Sequence, residues 1–434
     1  MKVLRTSAKK RVLLIRAKVV LSGLLIIAAP LAASAATVCV NPAGTGGCFK
    51  TIALAVGASS ANDTIEVGKG TYAEDVTILK SLSIVGANPK NTIIDATGKA
   101  NGFFVDGIDV PGLSNVVISG FTVKNANFEG ILVANASSVT VSNNIVTGND
   151  KSLVPAVGMA PASCTGIPAF ETGESDDCGE GIHLLGADHS IVADNLVQNN
   201  AGGILTSDDT GAASHNLITG NTVQKNSLDC GITLASHSPA ALTQSQTPLG
   251  VTQNTVSNNL STQNGLGGEG AGVGIFVGAA SGTNSGNVVV GNTITKNTLP
   301  GVTMHAHAPG ENITNNVIID NTISGNAADT GDAATSGPTG INVFGVSAAT
   351  GTIISGNTIN NESLDVVVNT PASVDVHLNN LLGKNTFGVK TANGGLADAT
   401  QNFWGCPKGP PAKGCSQVIP STGITVFPVS SKRF

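Results

Sequence analysis

Asn144-Ile-Val-Thr-Gly-Asn149 recurs along the chain as Asn195-Leu-Val-Gln-Asn-Asn200, Asn221-Thr-Val-Gln-Lys-Asn226, Asn259-Leu-Ser-Thr-Gln-Asn264, Asn292-Thr-Ile-Thr-Lys-Asn297, Asn321-Thr-Ile-Ser-Gly-Asn326 and Asn380-Leu-Leu-Gly-Lys-Asn385. An eighth copy begins at Asn357, with its second asparagine displaced to Asn361. The second residue after the first asparagine is apolar in every copy except at Ser261. Between the asparagine pairs runs a second column, read as Glu129-Gly-Ile, Glu180-Gly-Ile, Gly202-Gly-Ile, Cys230-Gly-Ile, Val273-Gly-Ile, Pro300-Gly-Val and Thr339-Gly-Ile. Glycine lets the chain turn, and the β-branched residue after it opens a strand.

Such short units cannot bury their apolar faces alone. Stacked at about 4.8 Å per coil, they pair backbone with backbone and enclose one continuous core. Asparagine suits the turns because it tolerates left-handed backbone and its amide can bond the amide one coil away. The reading is an all-β, single-stranded right-handed parallel β-helix, a solenoid of about ten coils. First-asparagine spacings of 26, 38, 33, 29, 36 and 23 residues after Asn195 imply loops that bulge from a constant cross-section. The longest excursion runs from Leu153 to Asp177. Only the N-terminal segment and residues 51–58 have helical character.

Residues 2–18 carry seven basic and no acidic side chains, Val19–Leu31 are apolar, and Ala33-Ser34-Ala35 supplies small residues. That order reads as a secretory signal over residues 1–35, cleaved after Ala35, and a 13-residue apolar run is too short to span a membrane, which needs roughly 20. The expected product is a secreted or periplasmic bacterial protein covering residues 36–434, with an N-terminal cap near 37–80, a C-terminal cap near 396–434 and no membrane span. It keeps 15 basic against 28 acidic residues, a net charge of −13, and its only arginine is Arg433. This acidity excludes nucleic acid as a partner. An acidic sugar would need a bridging cation, so a divalent ion such as Ca²⁺ is the one cofactor the composition suggests.

Seven cysteines in an exported chain suggest disulfides. Local pairing gives Cys39–Cys48, Cys164–Cys178 and Cys406–Cys415, leaving Cys230 as a buried thiol.

The two columns resemble the repeats of the pectate-lyase-like superfamily of right-handed β-helix proteins, the NosD-like subgroup above all. The front residues Thr51-Ile52-Ala53, Asn62-Asp63-Thr64-Ile65 and Gly70-Thr71-Tyr72, and the closing Asn402-Phe403-Trp404-Gly405-Cys406, extend the likeness over residues 39–427. The resemblance implies fold more than activity, because the scaffold hosts lyases, hydrolases, esterases, epimerases and adhesins. The arginine base of such lyases has no counterpart before Arg433, and of the polygalacturonase-like motifs only Asp208-Asp209 is present.

Counting outward positions by a period of two from the Gly-Ile column brings polar residues together. Asp208, Asp209, His237 and His305 form the candidate catalytic set; Glu180, His183, His307 and Phe276 form the candidate substrate-binding set. Asp176, Asp177 and His189 fall nearby in the same alignment, and Phe344 shares the outward face of Phe276. Carboxylates with imidazoles can bind a divalent metal or share acid–base work on a glycan. The same residues can equally serve strand ends and turns. Three functions stay open: a polysaccharide-binding protein with lyase, hydrolase or epimerase chemistry as an option; a non-catalytic, adhesin-like surface module; and a periplasmic metal-binding protein using His305 and His307. Substrate, metal and oligomeric state are not readable.

Overall fold

The structure, a computed structural model, describes residues 35–154, 163–170, 178–239, 248–383, 386–420 and 422–434. The expected secretory signal over residues 1–35 lies outside these residues except for Ala35, as do Asp176 and Asp177. Among the described residues no helix is long and apolar enough to cross a membrane.

From Ala35 onward the chain winds as a parallel β-helix. Three long sheets of 14, 12 and 11 strands form its faces, each strand pairing in parallel with its counterparts in the neighbouring coils. The faces thus run somewhat taller than the ten or so coils of the repeat. One short helix, Ile52–Ala58, sits near the start; its Thr51 cap accepts from the Leu54 amide, and the Glu74 carboxylate accepts from the Ile52 and Ala53 amides at 2.9 and 3.0 Å. A carboxylate there satisfies donors that have no partner inside the helix.

The repeat explains the cross-section. In Asn144-Ile-Val-Thr-Gly-Asn149 the strand Ile145–Thr147 buries only Val146, as the strand Thr140–Ser142 before it buries only Val141. These three-residue strands each point one side chain inward, strands of the 12-stranded sheet such as Val302–Ala306 point two or three, and the stack joins the apolar ones into a single cluster running from Val40 to Cys415. Each fully buried Val or Ile is worth about 1.5–3 kcal/mol, and the total grows with every added coil.

Each asparagine column is a continuous hydrogen-bond ladder. Asn195 Oδ1 accepts from the Asn144 amide at 2.9 Å and from Asn144 Nδ2 at 3.1 Å, and the same pattern continues through Asn221, Asn259, Asn292, Asn321 and Asn357. The residue before the first asparagine is left-handed, as at Asn143 (φ 56°), Asp194 (57°) and Asn258 (55°), which bends the chain from one sheet to the next.

Three registers differ from the sequence reading. The first ladder continues through Asn379, not Asn380, because Leu378 takes the left-handed position (φ 58°) and Asn380 enters a strand. The second ladder ends on Glu362 instead of Asn361: Asn361 is itself left-handed (φ 56°), so the inward place falls one residue later. In the glycine column, Val273 pairs with Ile232 and Val302, so Gly272 and not Gly274 holds the place. A third ladder, Ser190 to Asn216, Asn254, Asn287 and Asn316, stands five residues before the first asparagine of each of these copies, so the same spacing carries it although the two-asparagine motif leaves it out.

The structure joins Cys39 to Cys48, Cys164 to Cys178, and Cys406 to Cys415. Cys230 is buried, and its sulfur accepts from the Ala271 amide at 3.2 Å. Trp404 is fully buried among the last coils.

Candidate functional site

The outer face of the 12-stranded sheet and its margins hold the candidate site residues. Its strands present alternate residues outward, and the parallel register turns those residues into vertical columns. One column stacks Ser207, Ala235, Phe276, His305, Phe344 and Asn369. The two-residue register change at Val273 matters here, because it lifts Phe276 onto the neighbour of His305. The Phe276 ring lies over Gly274, where a Cβ would meet Cε2 at 2.2 Å, so glycine makes the space.

His305, on the strand Val302–Ala306, is held between Phe276 and Phe344, with ring centroids at 5.5 and 5.3 Å and both contacts edge-on. Its Nε2 lies 2.8 Å from Asp329 Oδ2, within ion-pair range though not aligned as a hydrogen bond. Its Nδ1 lies 3.2 Å from His307 Nε2. Both ring nitrogens of His305 are therefore engaged, and the outer end of the chain is the exposed His307. Carboxylate, imidazole and imidazole follow one another from a nearly buried acid to solvent.

This chain of groups borders a cleft of about 290 Å³, which also holds Asp229, Glu269 and Asp332. Burial works to raise the Asp329 carboxyl, but the His305 imidazole and the Gly331 and Asp332 amides outweigh it and hold the group below the ordinary value. Burial, then the charge of His305, lowers His307, against the pull of Glu311 and Asp329. Asp332 is occupied structurally, accepting from Asn369 Nδ2 at 2.7 Å, the Ala334 amide at 2.8 Å and Asn342 Nδ2 at 3.1 Å. Thr330 Oγ1 donates to the exposed Glu269 at 2.6 Å, linking two loops across the cleft. A roomier cleft of about 500 Å³ among the first coils has Glu66 as its one carboxylate and no imidazole.

The sequence-derived site residues divide into groups. His305, His307 and Phe276 share the cleft just described. Asp208, Asp209 and His237 form a second cluster nearer the N-terminus. Ser236, Val277 and Ala306 pair in register, so His237 and His307 share a column two coils apart, roughly 10 Å. His237 Nδ1 lies 3.2 Å from Asp209 Oδ2. Asp208 is buried and accepts from the Ser236 hydroxyl and from the His237 and Gly250 amides, which ties one coil to the next. Burial pushes its carboxyl above the ordinary value despite those donors. His183 is fully buried with Nε2 2.9 Å from Ser207 Oγ, and Glu180 is 1% exposed above the equally buried Glu129. His189 lies off this face altogether, at the corner beyond the strand Glu180–Leu185, beside Asp188 and His215.

Asp329, Asp332 and Glu269 were missed because they sit on loops with no counterpart in the repeat. A signal existed. The 36-residue step from Asn321 to Asn357 exceeds the shortest coils by about a dozen residues, and that excess carries both aspartates.

Residues 83–283 match the family described as right handed beta helix region. No curated protein matches the chain. Among solved structures, a variant of DFA-IIIase from Arthrobacter chlorophenolicus A6 in complex with DFA-III is similar at 12% identity and a TM-score of 0.55, over 87% of this chain and 90% of that one. The Dettilon tailspike protein is similar at 13% identity and a TM-score of 0.54, over 84% of this chain and 63% of the tailspike. At such identities the likeness is one of fold. Stacked parallel sheets, inward apolar rungs, buried amide ladders and the family match agree: this chain is a right-handed parallel β-helix repeat protein.

Proposed function

We propose that the protein is exported and binds extracellular or cell-wall polysaccharide along the outer face of the 12-stranded sheet, with the His305 cleft as the point of tightest contact. The observation that carries this reading is the Asp329–His305–His307 chain, set between two phenylalanine rings and opening on a cleft bordered by carboxylates. Sugars offer apolar faces that pack on aromatic rings and hydroxyls that donate to carboxylates. A long, regular face suits a repeating polymer, as the resemblance to polysaccharide-acting β-helix proteins implies. The same group of residues can move a proton: His307, held below its ordinary value and exposed, accepts it, while Glu311 and Asp329 steady the resulting charge against burial and His305. In this arrangement His305 positions and His307 meets the substrate.

The test is a binding and depolymerisation panel of uronate-containing and neutral polysaccharides, with and without Ca²⁺. We expect one polymer class to bind, with Phe344→Ala and His307→Ala each weakening binding about tenfold or more, the scale of one lost aromatic or polar anchor. Any turnover should disappear in His307→Ala and show an acid limb below the ordinary histidine value of about 6.5. Silence across the panel, or binding indifferent to both variants, would overturn the proposal in favour of a non-catalytic surface module.

A further inference from the structure

The corners of the β-helix carry a column of left-handed residues, one per coil: Asn115, Ser138, His189, His215, Gln253, Gly286, Asn315 and Gly351, with φ between 49° and 70°. Residues here need only tolerate that backbone, and most are the small or amide types that do so. Two adjacent coils depart from this by carrying imidazoles. The His189 and His215 rings stack at 4.6 Å with 12° between their planes. Asp188 stands beside both, its Oδ2 at 2.6 Å from His189 Nδ1 and its Oδ1 at 3.5 Å from His215 Nδ1. The donor atoms of all three residues lie within 4.8 Å of one another. The Ser214 hydroxyl donates to Asp188 Oδ1 at 2.7 Å and fixes the carboxylate.

From this geometry we infer a metal site for a borderline divalent transition-metal ion, of the Zn²⁺ class, held by Asp188, His189 and His215. Two imidazole nitrogens and one carboxylate are the donor types such ions prefer over the all-oxygen sets of Ca²⁺ and Mg²⁺. Three protein ligands and an open, solvent-facing fourth position complete a tetrahedral shell. The ligands sit on corners pinned by the stack: the Asp188 amide donates to Ala136 O at 3.2 Å, the His189 amide to Ser214 O at 3.0 Å, and the His215 amide to Thr252 O at 3.2 Å. The two histidine side chains are 61% and 46% exposed, which leaves their rings room to turn toward a shared ion. The ion takes the place of the protons that Nδ1 shares with the carboxylate, and those protons pass to Nε2 or to solvent. Nothing in this site depends on the carbohydrate cleft.

The test is calorimetric titration of the purified protein with Zn²⁺ alone at pH 7.5. We expect one equivalent bound, and loss of that equivalent in His189→Asn/His215→Asn. Asparagine is chosen because Asn115 and Asn315 already occupy the same corner position, so the fold is retained; circular dichroism and the melting temperature check this. His305→Ala/His307→Ala should keep the equivalent, which separates this site from the cleft. Absence of Zn²⁺ binding by the unaltered protein, an equivalent that survives the double asparagine change, or its loss in the His305/His307 variant would each overturn the inference.

Discussion

Glu362 shows what a single residue does inside a ladder. It stands where an asparagine is due, and its Oε1 accepts from the Asn326 amide and Nδ2 at 3.0 and 3.1 Å, as an asparagine oxygen would. Its second oxygen has no partner in the core, and burial pushes the carboxyl up to about 7. Three residues on, Asp365 fills a position that is glycine in both neighbouring coils, Gly340 and Gly388, as the pairing of Val366 with Ile341 and Val389 requires. Burial raises Asp365 well above ordinary carboxylate values, and Glu362 adds to the effect. The folded state therefore holds the Glu362 proton more tightly than the unfolded chain, whose glutamate titrates near 4.5. Stability from this source is complete below that value and is lost as pH rises through about 7, an effect of up to about 3 kcal/mol. We expect denaturant midpoints to fall between pH 5 and pH 8, and Glu362→Gln to flatten that profile. An unchanged slope in the variant would show that the carboxyl does not govern it. Asp208 makes the opposite case, a buried acid whose donors are all in place. Asp208→Ala strands the Ser236 hydroxyl and two amides, and should cost more than about 3 kcal/mol of unfolding free energy, with Asp208→Asn milder.

At the scale of the element, the ladders carry the specificity of the stack. Asn259 accepts from Asn221 and donates to Ile218 O at 2.9 Å and Asn292 Oδ1 at 3.0 Å. Every group it satisfies is buried, so Asn259→Ala should destabilise by about 2–4 kcal/mol in chemical denaturation. The exposed Leu266, on a loop outside the repeat, should tolerate alanine within about 0.5 kcal/mol. If the two changes cost the same, the ladder would be decorative. Strand parity does the complementary work on the outer face: it aims His305 and both phenylalanines outward together, while the loops fold over it and supply Asp329 and Glu269. A catalytic or binding group on a β-helix is thus a joint product of a rigid strand and an irregular loop.

At the scale of the molecule, each coil touches chiefly its neighbours, so stability accumulates along one axis and the ends are its weak points. Trp404 fills the interior near the last coils, where Gly388 leaves room: a Cβ there would meet the indole at 2.8 Å. Trp404→Ala should open a cavity worth about 3–5 kcal/mol locally. Hydrogen exchange should then quicken first in the coils after about residue 353, while strands such as Thr255–Ser257 and Val288–Val290 stay protected. Uniform loss of protection would instead mark the column as a single cooperative unit.

By itself the sequence determined the architecture, because a solenoid is written in periodic terms: an inward apolar residue every strand, an amide every corner, a glycine where the backbone comes close. Period-two counting also made His305, His307 and Phe276 legible as outward residues. What it could not carry was vertical register where coils change length, so Phe276 was aligned two positions away from His305, Asn380 took the place of Asn379, and Asn361 that of Glu362. Nor could it tell outward from accessible. His183 and Glu180 leave the helix on its outer side and are nonetheless buried, since loops lie across that face. The partner Asp329 belongs to a loop, where no periodicity constrains the residue, and His215 to a corner whose one requirement is a tolerance of left-handed backbone. Only the closing of the coils in three dimensions brings them within reach of their imidazoles, because contact there depends on which coil lies above which and not on distance along the chain.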